Sequence, residues 1–473
     1  MAGIGIQLQR MLRKNTLAGA AQAYTMAGLV GSGPWLMSIV AILAISLMAA
    51  VGGRDGDAVE QFQVSVSYLM AGSLILTSPL QLLFTRYAAD RMFERRDGVI
   101  LPNLMGALCL TLGISTLGGG IILLFWFDEP WPYQLCMLAN FIVLSCIWIV
   151  QIFASAIRAF RPLLGAFALG YLITAWAALA LQSSGLVGLL AGFFVGQAVL
   201  LFALLAMVVR EFPASELMAF AFLRRDQVFP RLALIGLLYN VAVWCDKFVF
   251  WRDPLSGTAI VGSLRASVVY DLPIFLAYLS LVPGMAVLVV RLEVELAQKC
   301  EAFYRTITSG GNHQAVKLAH GELLAAVRHG LSDIVKVQIV TTAIVMLFAA
   351  EILVLFGISP LYQPLFAIDL VAVALQLAFL AMLSILFYLD RQAIALKLCA
   401  MLLVSNAAFS WLSVQLGPQF FGYGFALAVL LTCASAALYL SHTLDHLIFE
   451  TFMLQPSART SSKAAPSPPA SST

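Results

Sequence analysis

Apolar residues run along this chain in long blocks separated by short polar breaks, the pattern of a protein that uses lipid as its solvent. Crossing about 30 Å of hydrocarbon takes roughly 20 mostly apolar residues. Twelve blocks qualify: 17–50, 62–85, 103–127, 133–156, 163–182, 186–209, 232–251, 269–290, 337–356, 365–389, 398–416 and 425–441. They predict an all-α integral membrane protein of about twelve transmembrane helices. Six blocks precede the basic stretch 210–231 and six follow it, which predicts two six-helix lobes around a central cavity. The second block of each half also carries a proline, Pro79 in SPLQLLFTR and Pro283 in VPGMAVLVVR, a weak internal echo.

The expected organisation follows from these blocks. Residues 1–16 form an amphipathic cytoplasmic N-terminus, 17–209 an N-lobe, 210–231 a connector, 232–455 a C-lobe and 456–473 a disordered Ser/Pro/Ala-rich tail. Within the C-lobe, 291–336 reads as two amphipathic cytoplasmic helices broken at Gly310-Gly311-Asn312, with Leu318, Leu323, Val327 and Leu331 as an apolar stripe.

Composition agrees: 61% of the 473 residues are hydrophobic and 11% charged, against about 25% charged in soluble domains. A net charge of +3 is too small for a nucleic-acid surface. The placement of charge says more. Lys and Arg collect in cytoplasmic loops, and with the N-terminus inside, all of the 27 basic residues except Arg54, Lys247, Arg252 and Arg265 fall on the cytoplasmic side. Both termini are therefore expected on the cytoplasmic side of the membrane.

The first block is too long for one straight helix. No charge occurs from Asn15 to Gly53, a stretch of about 58 Å at 1.5 Å per residue. In its middle lie Gly31, Ser32, Gly33, Pro34 and Trp35. Pro34 cannot donate to the carbonyl of Val30, and a freed carbonyl is tolerated only against protein or water. The expectation is a break that faces a wet interior.

Five charges interrupt the later blocks: Asp246, Lys247, Asp271, Glu351 and Asp369. Such residues pair or face water, because an isolated mid-bilayer charge costs about 2.5–3.5 kcal/mol. Adjacent helical positions point about 100° apart, so Asp246 and Lys247 are not expected to share a direction, and at least one needs a partner elsewhere. We expect one or both to line the central cavity with Arg265 and Asp271. Glu351 and Asp369 are expected near the outer interface, solvated. Gln22, Tyr24, Trp35, Tyr239, Asn240 and Trp244 are candidate polar and aromatic substrate contacts, which would meet a sugar if the cargo is a glycan.

Enzyme chemistry has no visible seat. The chain lacks GxxxxGK[ST], H-E-x-x-H and G-x-S-x-G. The seven cysteines form no CxxC pair and read as packed thiols. His442 and His446 have i,i+4 spacing, too little for a metal site. No cofactor or metal is expected, and any transport must draw on an ion gradient, voltage or a partner.

The opening MAGIGIQLQRMLRKNTLAGAAQAYTMAGLVGSGPW resembles that of the PelG family, inner-membrane transporters of Pel exopolysaccharide within the multidrug/oligosaccharidyl-lipid/polysaccharide flippase group. YNVAVWCDKFVFW and YDLPIFLAYLSLVPGMAVLVVRLEVEL are similar to its middle region, and the resemblance runs to about residue 455. It implies alternating access or a gated cavity in a secondary transporter that supports biofilm formation. It also implies a galactosamine-containing polymer, a cytosolic glycosyltransferase and other Pel membrane partners, including a c-di-GMP receptor. Flippases of pyrophosphate-linked lipids in this group use cavity arginines. Between Lys14 and Arg86 this chain has only Arg54, which suits a bare glycan better. The alternatives are a flippase for a lipid-linked oligosaccharide or a drug, and a non-transporting scaffold for a synthase.

Overall fold

A computed structural model of the chain describes residues 22–28, 56–153, 160–214, 216–224 and 229–453, with single positions 11, 16, 19 and 31. Ser32 to Trp35, with the break expected at Pro34, lie outside the described residues, as do Arg54 and the tail 456–473. The first span is represented by helix α1, residues 22–28. The rest of the first half is α2 (Gly56–Phe93), α3 (Ile100–Trp126), α4 (Trp131–Val150), α5 (Phe160–Leu181) and α6 (Gly185–Glu211). The second half begins with α7 (Pro230–Arg252) and a two-stranded hairpin, β1 (Thr258–Val261) and β2 (Leu264–Ala266). There follow α8 (Val268–Leu279), α9 (Leu281–Val290), α10 (Ala297–Thr308), α11 (His313–Leu347), α12 (Ala349–Leu355), α13 (Gln363–Tyr388), α14 (Gln392–Leu416) and α15 (Tyr423–Met453).

Nine stretches among the described residues are long and apolar enough to cross a membrane, ten if α8 and α9 form one bent span. One of these, Pro162–Glu211, holds both α5 and α6, which meet at a 3-10 turn over Gln182–Ser184. With α5 and α6 counted separately the described residues hold ten candidate crossings, or eleven with the bent α8–α9 pair. The large basic clusters, among them Arg91 to Arg96 and the α14 entry at Arg391, share one end of the bundle. There Arg86 of α2 reaches Asp390 at 3.9 Å and Arg391 pairs with Glu450.

The two echoed prolines behave differently. Pro79 lies inside an uninterrupted α2, where the Ser78 hydroxyl donates at 2.8 Å to the Ile75 carbonyl that Pro79 leaves without its usual donor. Before Pro283 the helix breaks instead, and α8 and the helical run that continues α9 meet at 41°. The Ser280 carbonyl at that break accepts at 3.3 Å from the Gln338 amide of α11.

Close helix contact rests on small residues, as expected where lipid supplies no hydrophobic drive between helices. Gly192 and Gly196 on α6 have no room for a side chain: a Cβ would lie 2.2 Å from the Ala178 nitrogen and 2.0 Å from the Thr174 hydroxyl of α5. Between the halves, a Cβ on Gly236 of α7 would lie 2.4 Å from the Ser78 carbonyl of α2.

The segment 291–336 folds as expected at its turn, where Gly310 takes a φ of +73° and Asn312 caps α11 by accepting from the Ala315 nitrogen at 2.8 Å. Its second helix departs from expectation by running on without a break into the next span, through Leu347. The predicted stripe is split: Leu323 and Val327 are buried, Leu331 is half-buried and Leu318 is exposed. Leu323 shares its buried cluster with Cys300 and Phe303 of the facing α10. Lys299 joins α10 to α11 through Glu322 at 2.8 Å.

Two outcomes follow from this packing. Gly192→Leu must push α5 from α6 and should destabilise by about 1–3 kcal/mol, lowering the apparent Tm in detergent, while Gly120→Leu, which has open space, should not. Burial pushes the Cys300 thiol up to about 12, so it stays protonated at neutral pH. It should resist maleimide in the folded protein and react only after denaturation, as read by mass spectrometry.

Candidate functional site

The second half encloses a cluster of charges inside its apolar core. Helix α7 supplies Asp246 and Lys247, both fully buried. Although adjacent, the two pair with each other: the Lys247 ammonium donates to Asp246 Oδ2 at 3.0 Å and to the Val243 carbonyl at 3.2 Å. This corrects the expectation from helical geometry. The lysine's long flexible stem covers the angle between the two positions, as a shorter side chain could not. Asp246 has a further partner as well, because the Tyr270 hydroxyl of α8 donates to Oδ2 at 2.7 Å. Asn406 of α14 donates to the Ala242 carbonyl at 2.7 Å and lies 3.4 Å from Asp246 Oδ1, while Ser410 holds the Asn406 oxygen at 2.9 Å. The rings of Trp244, Tyr278 and Phe425 face the ammonium at 5.5 to 5.8 Å, a cation–π cage.

Asp369 on α13 completes the cluster, against expectation. It was placed in water near the outer interface. It is 0% exposed and near enough to Lys247 and Asp246 to interact with both charges. Neither carboxyl oxygen has a hydrogen-bond partner among the described residues. The proximity of Asp369 to the start of α13 misled the sequence reading. Six residues make only about 9 Å of helix, but the 3-10 turn Pro418–Phe420 and Gly422, whose φ is +84°, bring the start of α15 over it. A Cβ on Gly422 would lie 3.2 Å from Asp369 Oδ1. Glu351, by contrast, is exposed as expected.

Arg265 and Asp271 belong to a different group. Asp271 accepts from the Trp251 indole at 2.7 Å and from the Ser267 nitrogen at 3.1 Å. The Arg265 guanidinium donates to the backbone carbonyls of Trp251, at 2.9 Å, and Gly257. Both residues organise the hairpin end of α7; Asp271 feels the charges of Lys247 and Asp246, but no hydrogen bond joins either residue to that pair among the described residues.

The candidate sugar contacts are scattered. Gln22 is exposed and Tyr24 half-buried on α1, and at the single position Gly31 a Cβ would lie 2.8 Å from Val289 of α9. Tyr239 stacks on Phe379 at 6.5 Å, and Asn240 bonds its own helix at Gly236. Trp244 joins the cage around Lys247. Tyr270 and Asn406 escaped the sequence reading, and the available signal was a lone Asn in an apolar span, LLVSNAAF.

With both carboxylates ionised the cluster holds two negative charges and one positive. Groups sealed from water avoid such an imbalance by neutralising, since burying an unpaired charge is far costlier than binding a counter-charge. One proton or one small cation would balance it. Among the described residues no group of three or more His, Cys, Asp or Glu is placed to hold a metal ion.

Comparison with known proteins places this geometry in a family and a fold. A family model described as PelG, "Putative exopolysaccharide Exporter (EPS-E)", matches residues 1–452. No curated protein matches the chain. An outward-facing multidrug resistance MATE transporter of the MOP superfamily shares its fold with a TM-score of 0.65 at 15% identity, over 90% of this chain and 96% of that one. An inward-facing MATE transporter gives 0.59 at 13%, over 89% and 99%. A MOP transporter from Pyrococcus furiosus gives 0.56 at 16%, over 91% and 96%. The fold is that of a two-lobed membrane transporter, and by its sequence the chain belongs to the PelG family of exopolysaccharide exporters.

Proposed function

We propose that this protein moves a nascent, galactosamine-containing exopolysaccharide across the bacterial inner membrane, with both termini in the cytoplasm, by alternating access between its two halves. Family membership supports the cargo and the MATE-like fold supports the movement. The arginine-rich end of the bundle supports the orientation, since basic residues are retained on the cytoplasmic side. A cytosolic glycosyltransferase and further membrane subunits, including a c-di-GMP receptor, fit as partners that make and deliver the polymer.

The observation that carries the mechanism is Asp369, buried and unpartnered beside the Asp246–Lys247 pair. A carboxylate kept this way binds a proton or small cation, and its occupancy changes the net charge that the second half holds in its core. A charge change inside a sealed bundle alters which packing is stable, and that can couple an ion gradient to the alternation. The polymer itself is neutral or cationic in its hydroxyl and amino groups, and the scarcity of arginine in the first two spans suits it.

Asp369→Asn keeps the shape and removes the titratable charge. It should lower secreted polymer at least tenfold at normal membrane abundance, and secretion at the wild-type level would remove Asp369 from the mechanism. Lys247→Met leaves two buried carboxylates without their cation and should destabilise by about 3–5 kcal/mol. Adding Asp246→Asn to Lys247→Met should restore most of the loss in apparent Tm without restoring secretion.

A further inference from the structure

Between α7 and α8 the chain does not turn back directly. Residues 253–267 build the β1–β2 hairpin, paired Thr258 with Ala266, Ala259 with Arg265 and Val261 with Leu264. An isolated two-stranded hairpin is marginal in water and needs another surface. This one finds it in the other half. Val261, Leu264 and Ala266 are buried in the cluster formed by Phe62 and Leu69 of α2, Leu123 of α3 and Tyr133 of α4. The polar contacts cross in the same direction. The Tyr68 hydroxyl donates to the Arg265 carbonyl at 2.8 Å, and Ser263 Oγ donates to the Trp126 carbonyl at 2.6 Å. Tyr68 also stacks on Trp251 with ring centroids 4.4 Å apart, while Arg265 and Asp271 fix Trp251 and the hairpin root from behind.

The contact continues along α2 and α7. Midway, Gly236 meets the Ser78 backbone, and at the basic end the Arg86 guanidinium lies 5.4 Å over the Phe229 ring. Three levels of the same seam are therefore joined, and the outermost is packed like a core.

We propose that the hairpin is a strap which holds the outer ends of the two halves together on the α2–α7 side, making that seam the pivot of transport. Opening then occurs away from that seam, and the contact of α1 with α9 is the one that must part. The strap rests on the export reading. Tearing the seam open would strip Val261, Leu264 and Ala266 from their cluster at each cycle, whereas a pivot leaves them in place.

Two disulfides test this in cells that secrete the polymer. A Glu129→Cys/Gly262→Cys pair joins the hairpin tip to the α3–α4 turn, where a Cβ on Gly262 already lies 3.3 Å from Glu129 Cγ. A Gly28→Cys/Ala286→Cys pair joins α1 to α9, where the two Cβ positions are 3.3 Å apart, close to disulfide geometry. Gly262 has a φ of +50° and strains a cysteine, so Trp126→Cys/Ser263→Cys replaces the first pair if it fails to accumulate. Oxidation of the hairpin pair should leave at least half of the secretion of its own reduced sample. Oxidation of the α1–α9 pair should cut secretion at least tenfold, reversibly. Arrest by the hairpin pair, tolerance of the α1–α9 pair, or no cross-link at either hairpin pair would overturn the strap. Wild-type cells report separately on the export reading.

Discussion

An unbalanced charge sealed in an apolar core is the constraint around which the second half is built. Asp246, Lys247 and Asp369 come from α7 and α13, and the atoms that tolerate them come from α8, α14 and α15. Helix α8 contributes the Tyr270 hydroxyl and the Tyr278 ring, α14 the Asn406 amide and α15 the Phe425 ring. Lys247 alone would be costly, and the Asp246 carboxylate and three ring faces stabilise it. Asp369 has no such company, and that asymmetry makes the cluster more than a structural salt bridge. A buried pair that only held helices together would be fully satisfied, since half-satisfied networks are destabilising.

Around this cluster the halves meet through two different kinds of contact. Where helices only need to touch, small residues do the work, as at Gly28 of α1 and at Gly31 against Ala286 and Val289 of α9. Where they are held, the hairpin inserts apolar side chains into the other half's cluster. Both bury apolar surface, since Ala23, Met26 and Ala27 of α1 share a buried cluster with Ala286 and Val290 of α9; the hairpin adds polar and ring contacts at Tyr68, Ser263 and Trp251. A rocking transporter needs both.

The sequence alone was enough for the spans, their number and the basic end, because bilayer thickness and charge placement constrain them residue by residue. The α10–α11 turn was equally legible, from Gly310 and Asn312. Legibility failed where tertiary packing decides. A carboxylate six residues from a helix start looks solvated until α15 is known to cover it, as with Asp369. Ideal helix angles point Asp246 and Lys247 in different directions, although a lysine stem is long enough to join them, and the further partner that those angles call for is Tyr270. The hairpin was not foreseen either, since residues 253–268 fit a surface segment or an early part of the eighth span until Phe62 and Tyr133 are known to receive them. Gly188, Gly192 and Gly196 repeat at helical spacing, a signal that was present and unread.

The most direct measurement is made on vesicles holding the protein with its cognate synthase, with polymer counted on the far side while the proton or sodium gradient is set externally. Transport coupled to occupancy of the Asp369 site predicts that polymer appears in proportion to one of those gradients and stops when both are collapsed. Equal translocation with every ion gradient dissipated would contradict it.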